Sequence, residues 1–92
     1  MIEKLATIQN AQGIHCRPSA VIVKEISGYQ GKIKISSDNR HCDLTSIIDL
    51  ITLGLEQGDQ INIQVNGPNE KEVCLKLIKL FETHFDFPAL DV

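Results

Sequence analysis

A histidine, a cysteine and an arginine follow one another in the stretch Gly13–Pro18, directly before a segment of helical character. A neutral imidazole is nucleophilic near neutral pH, because its unperturbed pKa is about 6.5. The first turn of a helix presents backbone N–H groups and a partial positive charge, and Arg17 adds a planar guanidinium that matches phosphate oxygens. The spacing therefore predicts that His15 carries a phosphoryl group beside the helix. The alternative is a surface histidine with a solvated Arg17.

The three cysteines, Cys16, Cys42 and Cys74, are odd in number and widely spaced. With no Cys-x-x-Cys pair and no histidine at zinc-ligand spacing, they predict neither a disulfide framework nor a structural metal site. Cys42 and Cys74 fall at apolar positions of the pattern, where a small buried hydrophobic residue is expected. Cys16 differs, because a helix N-terminus and Arg17 both favour a reactive thiolate, so a redox role stays open for this residue.

Other catalytic signatures do not stand out. The sequence shows no paired carboxylates, Walker loop, Gly-rich dinucleotide fingerprint or Ser/His/Asp arrangement. We therefore expect a chain that does not turn over a substrate by itself and that needs no metal or other cofactor.

Length and charge narrow the class of protein. The chain has 92 residues, 42% hydrophobic and 4% aromatic, so we expect one domain over residues 1–92 with an aliphatic core. The net charge of −3 argues against a nucleic-acid binder. Residues 1–46 nevertheless hold six cationic side chains against four carboxylates, and the remainder holds three cationic side chains against eight carboxylates. The first half of the chain could therefore present a basic surface to an anion or to an acidic partner.

The apolar runs are too short to span a bilayer, and residues 1–4 do not begin a signal peptide. We therefore expect a cytoplasmic protein without membrane insertion.

The hydrophobic pattern of the first half predicts a strand, a helix and a hairpin. The helix covers Pro18–Ile26, and the hairpin pairs residues 32–36 with residues 40–44. The predicted inward positions are Ile2, Ala6 and Ile8 in the strand, Ala20, Val23 and Ile26 with Ile22 beside them in the helix, and Cys42 and Leu44 in the hairpin.

A second, short helix is predicted between Ser46 and Gly54. Ser46 stands at the N-cap position and Asp49 follows three residues later, which is typical of a capping-box pair, while Gly54 suits the position after the helix. The run Gln60–Asn66 alternates polar and apolar residues without a break and predicts a strand.

The last predicted element is an amphipathic helix. Asn69 and Glu72 resemble a capping box at its start, and the pattern continues to about Thr83 or His84. The element order is therefore β-α-β-β-α-β-α. Because the strands alternate, we expect one buried and one solvated sheet face. The predicted fold is α+β, an open-faced β-sandwich with a four-stranded antiparallel sheet covered on one side by three helices.

The segment Gly13–Ala20, the helix that follows Ser46 and the run Thr52–Leu55, taken with this element order, resemble the HPr family. These proteins are the histidine-containing phosphocarriers of the bacterial phosphoenolpyruvate:sugar phosphotransferase system. The resemblance extends over about residues 2–84, leaving residues 85–92 as a short tail.

The resemblance implies a function for the residues that open the first helix. His15 would accept a phosphoryl group on Nδ1 from a phosphoenolpyruvate-dependent phosphotransferase and pass it to a sugar-specific transport subunit. Arg17 would stabilise the phosphoryl oxygens, and the backbone amides of Cys16 and Arg17 would receive them. The chain would then be a monomeric, stoichiometric carrier.

The resemblance also implies surfaces for partners and regulation. The docking residues would be Ala20, Lys24, Ile47, Ile48 and Ile51. In an alternative function, a serine kinase phosphorylates Ser46 and the modified chain binds a transcriptional regulator, with no role in sugar transport.

The sequence departs from the family pattern at Cys16, where a hydroxyl-bearing or small residue is common, so a weak thiol cap would order the loop less firmly. It departs also at Ser27 and Asp49, where cations for acidic partners are common.

Overall fold

The structure is a computed structural model that describes residues 1–83 of the chain. Four strands and three helices follow one another in the predicted order. The strands are β1 (Ile2–Thr7), β2 (Lys32–Ser37), β3 (Arg40–Asp43) and β4 (Gln60–Asn66), and the helices are α1 (Cys16–Glu25), α2 (Ile47–Thr52) and α3 (Glu70–Phe81). The predicted element types are confirmed, whereas a helix end at His84 and the tail over residues 85–92 lie outside the described residues.

The strands form one antiparallel sheet in the order β1-β4-β2-β3. In this sheet β4 lies between β1 and β2, and Ile63 is paired with Lys4 on one side and with Ile35 on the other. Along β4 the buried residues Ile61, Ile63 and Val65 alternate with more exposed polar residues. The helices pack against the apolar side of the sheet and against each other, which confirms the predicted open-faced α+β sandwich.

The buried face of α1 is centred on Ile22 rather than on Ala20. Ile22 is fully buried, Val23 packs at the edge of the core, and Ala20 is exposed. The predicted inward position of Ala20 is therefore wrong. The helix begins at Cys16, two residues earlier than predicted, because Pro18 lies in the first turn, where its missing N–H breaks no helical hydrogen bond.

The predicted ends of α2 are confirmed. Ser46 has an extended backbone, and its hydroxyl oxygen accepts a hydrogen bond from the backbone N–H of Asp49 at 3.1 Å. Gly54 has a positive φ of 64°, the conformation that ends many helices and that glycine adopts without a steric penalty.

The predicted capping box of α3 is wrong. Asn69 has a left-handed backbone with a φ of 51° and makes no side-chain cap hydrogen bond. An N-cap side chain reaches the helix amides from an extended backbone, which Asn69 does not have. The carboxylate of Glu70 instead accepts the backbone N–H of Gly67 at 3.2 Å.

The three cysteines differ in burial. All three cysteines are free thiols; Cys74 is buried and Cys42 is half-buried. Burial, followed by the charges of Asp49 and Asp43, raises the pKa of Cys42 to about 11, and burial raises the pKa of Cys74. Within residues 1–83 no group of histidine, cysteine or carboxylate side chains could hold a metal ion. Within the same range no helix is long and apolar enough to cross a membrane.

Candidate functional site

His15 is the N-cap residue of α1. Its backbone is extended, with φ −103° and ψ −156°, and its carbonyl oxygen accepts the backbone N–H of Ser19 at 3.0 Å. The imidazole is partly exposed and makes no cap hydrogen bond. The backbone of His15 is therefore held by the helix, while the ring is not used to cap it.

Cys16 and Arg17 are the first two residues of α1, and both are exposed. The first turn of a helix directs its backbone N–H groups and its partial positive charge toward the N-terminal end, which is where His15 lies. No acidic residue occurs in this first turn to neutralise that charge. Because His15 occupies the N-cap position, the thiol of Cys16 is not the capping group, and the expected loosening by a weak thiol cap does not apply.

The loop before His15 is fixed through its backbone. The backbone N–H of Ile14 donates to the carbonyl oxygen of Leu55 at 3.0 Å, which joins the loop to the segment after α2. Gly13 has a φ of 72°, and a Cβ at this position would overlap the carbonyl oxygen of Leu55. Only a glycine therefore fits against Leu55 without displacing the backbone.

Asn10 is a second support of this loop, and sequence reasoning missed it. Its side chain is fully buried, and its Nδ2 donates to the carbonyl oxygen of Gly13 at 2.7 Å. In return, the backbone N–H of Gly13 donates to the carbonyl oxygen of Asn10 at 2.9 Å. An asparagine in a turn-rich stretch is ordinarily interpreted as a solvated turn residue. The one sequence signal for this contact is the three-residue spacing of Asn10 and Gly13, which is typical of a hydrogen-bonded turn.

The structure places the predicted docking residues on two adjacent helices. On α1, Ala20 and Lys24 are exposed. On α2, the exposed fraction is 39% for Ile47 and 73% for Ile48, while Ile51 is half-buried. The helices α1 and α2 pack against each other, so these residues lie on neighbouring elements. Two adjacent exposed isoleucines are unusual on a small polar domain and are typical of an interaction surface.

The charges of the two helices differ in sign. Lys24 lies in the last turn of α1, and Arg17 in its first. By contrast, Asp49 is exposed in the first turn of α2, and α2 has no basic residue in its last turn. Ser46 is half-buried at the N-cap of α2, next to the two exposed isoleucines. The surface thus combines the exposed side chains of Ile47 and Ile48 with one helix of net positive charge and one of net negative charge.

Comparison with known proteins gives consistent matches over these elements. A family model described as the PTS HPr component phosphorylation site matches residues 2–83. The phosphocarrier protein HPr of Vibrio cholerae is 34% identical over 82 residues, which cover 89% of this chain and 96% of that protein. The phosphocarrier protein NPr of Escherichia coli is 28% identical, with coverage of 92% and 96%. The solved structure of HPr-C-His from Thermoanaerobacter tengcongensis is 31% identical and covers 88% of this chain and 91% of its own, with a TM-score of 0.81.

Proposed function

This chain belongs to the HPr family of phosphotransferase-system phosphocarriers, and we propose that His15 is the residue that carries its phosphoryl group. The observation that supports this assignment most directly is the place of His15 at the N-cap of α1, with a ring that makes no cap hydrogen bond. A nucleophilic nitrogen therefore lies beside helix amides that favour an anionic phosphoryl group.

In the proposed reaction, Nδ1 of His15 attacks the phosphorus of a phosphohistidine on a phosphoenolpyruvate-dependent phosphotransferase. The new N–P bond forms in line as the N–P bond of the donor breaks. The guanidinium of Arg17 and the backbone amides of Cys16 and Arg17 stabilise the phosphoryl oxygens. A sugar-specific transport subunit then removes the group by the same exchange, so the chain is a stoichiometric carrier and not an enzyme.

The docking surface of the proposed carrier consists of Ala20 and Lys24 on α1 with Ile47, Ile48 and Ile51 on α2. The exposure of the two isoleucines supports this assignment, because the centre of a protein–protein interface is more apolar than its rim. We infer a cytoplasmic monomer that presents this one surface first to its donor and then to its acceptor.

Incubation with phosphoenolpyruvate and a phosphoenolpyruvate-dependent phosphotransferase tests the assignment. We expect one acid-labile phosphoryl group per chain, and we expect a His15→Ala variant to take up none. His41, which is exposed on β3, provides the matched control, since His41→Ala should be labelled like the unmodified chain. The proposal would be overturned if His15→Ala were labelled, or if labelling were lost in His41→Ala but not in His15→Ala.

Ser46 is the basis of a second candidate function, in which the chain is a regulatory module. The hydroxyl of Ser46 lies at the N-terminus of α2 beside the exposed Ile47 and Ile48, so a phosphate there would change the charge of the docking surface. The helix end would favour that phosphate, and the carboxylate of Asp49 would oppose it.

An acid-stable phosphate, formed with ATP and a metabolite-sensing serine kinase, distinguishes this candidate from the first. Phosphorylation should be lost in Ser46→Ala and kept in the control Thr45→Ala, in which the preceding exposed hydroxyl is removed. Equal labelling of the two variants would exclude regulation through Ser46.

A further inference from the structure

Arg40, the first residue of β3, binds the segment that follows α2 at two points. Its Nη1 donates to the carbonyl oxygen of Leu53 and lies 3.5 Å from the carbonyl oxygen of Gly54. Its Nη2 lies 3.9 Å from the carboxylate of Asp59. The guanidinium therefore contacts the chain on both sides of Leu55.

Leu55 is the residue on which the loop before His15 is held. Its carbonyl oxygen accepts the backbone N–H of Ile14 at 3.0 Å. The carboxylate of Asp59 that faces Arg40 also accepts the backbone N–H of Glu56 at 2.9 Å, so the residue after Leu55 is fixed as well. The segment over residues 53–56 is thus held by contacts that meet at one guanidinium.

The chemistry of this contact suits arginine in particular. The last carbonyl groups of a helix accept no hydrogen bond from within the helix, and a cation is favourable at that end. A guanidinium carries five N–H donors in a fixed plane, so it can bind helix carbonyls and a carboxylate together, whereas an ammonium acts as one point charge. The ion pairs to Asp38 and Asp59, at 4.0 and 3.9 Å, are too long and exposed to contribute much alone. The hydrogen bonds to the end of α2 are therefore the main contribution of Arg40.

We propose that Arg40 is a positioning residue for His15, acting through the end of α2 and the carbonyl oxygen of Leu55. The inference rests on the proposed function of His15. Without Arg40, the segment over residues 53–56 opens more often and releases the N–H of Ile14. The ring of His15 then spends less time in the orientation that phosphoryl transfer requires.

Hydrogen exchange of the Ile14 amide, measured by NMR, tests the structural step. We expect Arg40→Gln to raise the exchange rate of Ile14 about three- to tenfold relative to that of Ile63 in the core, the change that corresponds to one lost hydrogen bond. Arg40→Lys should restore part of the protection. The control Lys32→Gln removes the same charge from an exposed position on β2 and should leave the ratio unchanged.

Phosphorylation by phosphoramidate tests the functional step without a partner protein. The P–N bond of this small donor breaks, ammonia leaves, and the phosphoryl group becomes bonded to the imidazole. We expect His15 to be phosphorylated more slowly in Arg40→Gln than in Lys32→Gln, with Arg40→Lys between them. If Arg40→Gln does not fold, the comparison uses Arg40→Lys and Asp59→Asn, each of which weakens one side of the contact.

The two ways of failing are distinct. If Ile14 and Ile63 gain exchange equally, or if the His15 rate is the same in Arg40→Gln and Lys32→Gln, Arg40 has only a structural role and the inference is wrong. If the unmodified chain takes no phosphoryl group on His15 from its phosphotransferase, the proposed function fails whatever the exchange data show.

Discussion

At the scale of single residues, His15 owes its place to backbone contacts and leaves its side chain available. Its own carbonyl is bound by Ser19, and the loop before it is bound by Leu55 and by the buried side chain of Asn10. In the function proposed for His15, the ring exchanges a phosphoryl group with two partners, so it must be exposed and cannot be fixed by buried groups. Rigid backbone support solves this problem, since it positions the imidazole without covering it.

The reactivity of Cys16 is a prediction at this scale. Cys16 is exposed at the start of α1, whereas the pKa of Cys42 is raised to about 11 and that of Cys74 is raised by burial. The thiolate is the nucleophile, so we expect iodoacetamide near neutral pH to label Cys16 well before the other two. Labelling of Cys42 should accelerate only as the pH approaches its raised pKa. Peptide mass spectrometry checks the order, a Cys16→Ser variant should lose the fast label, and equal rates at all three cysteines would contradict it.

Gly13 supplies a second prediction, with Gly58 as its matched control. Both glycines have a positive φ, but a Cβ at Gly13 would overlap the Leu55 carbonyl, whereas a Cβ at Gly58 meets nothing within 4 Å. We expect Gly58→Ala to cost about 1 kcal/mol of unfolding free energy from backbone strain alone. Gly13→Ala should cost about 3 kcal/mol and also slow phosphorylation of His15, because the loop must move.

Urea denaturation measures the two costs, and phosphoramidate labelling measures the functional effect. Equal destabilisation by the two substitutions would show that the contact with Leu55 is unimportant. Normal labelling of a folded Gly13→Ala variant would show that the position of the loop does not limit the reaction.

At the scale of elements, α2 is a short helix with both ends fixed by side chains. Ser46 caps its N-terminus through the N–H of Asp49, and Arg40 binds the carbonyls at its C-terminus. A six-residue helix is too short to be stable by its own hydrogen bonds, so these contacts and the burial of Leu50 maintain it. The same helix exposes Ile48, so the contacts that stabilise α2 also support the proposed docking surface.

The charge of α2 leads to a prediction about partners. Asp49 is exposed next to Ile48, and we expect natural partners to place a basic group opposite it. Asp49→Lys should then raise the KM for the phosphorylated donor about three- to tenfold at low salt, with kcat little changed. Added salt should reduce the difference, because exposed charges are screened.

Steady-state phosphotransfer kinetics at two ionic strengths provide the measurement. Asp43→Lys is the control, since Asp43 is exposed on β3 outside the docking surface. Phosphoramidate labelling of His15 should be equal in the two variants. A lower KM in Asp49→Lys would mean that the partner's surface is acidic and that the proposed pairing is wrong.

Sequence reasoning succeeded where the residue types of neighbouring positions carry the signal, and it failed where the outcome depends on backbone conformation or on contacts with backbone carbonyls. The alternation of Gln60–Asn66 and the capping pattern of Ser46 predict their elements, because each rests on neighbours in the chain. The capping box at Asn69 fails, since a left-handed backbone cannot be read from residue types alone. Asn10 and Arg40 were missed as supports because their partners are backbone carbonyls, which every residue possesses and no pattern identifies.

At the scale of the whole molecule, the sheet has one covered face and one polar face, and β1 forms an edge of it. Edge strands hold fewer ladder hydrogen bonds, so side chains contribute more to their attachment. Glu3 accepts hydrogen bonds from the side-chain amides of Asn62 and of Gln64, the second at 3.0 Å, and Glu82 accepts the backbone N–H of Thr7 at 2.9 Å. Carboxylates thus hold β1 to its neighbours at both of its ends.

This attachment makes the molecule's stability depend on pH in a defined direction. The hydrogen bonds from Asn62 and Gln64 hold the pKa of Glu3 below its ordinary value of 4.5. The unfolded chain therefore binds the proton more readily, so the stabilisation is present above pH 4.5 and is lost as the pH falls through the lowered pKa of the folded state.

The urea concentration at the midpoint of unfolding, measured as a function of pH, tests this dependence. We expect the midpoint to decrease as the pH is lowered below 4.5, and to decrease less steeply in Glu3→Gln, whose side chain cannot titrate. Glu72→Gln removes an exposed carboxylate of α3 and is the control that should keep the original slope. Parallel curves for Glu3→Gln and Glu72→Gln would show that the attachment of β1 does not depend on the ionised carboxylate.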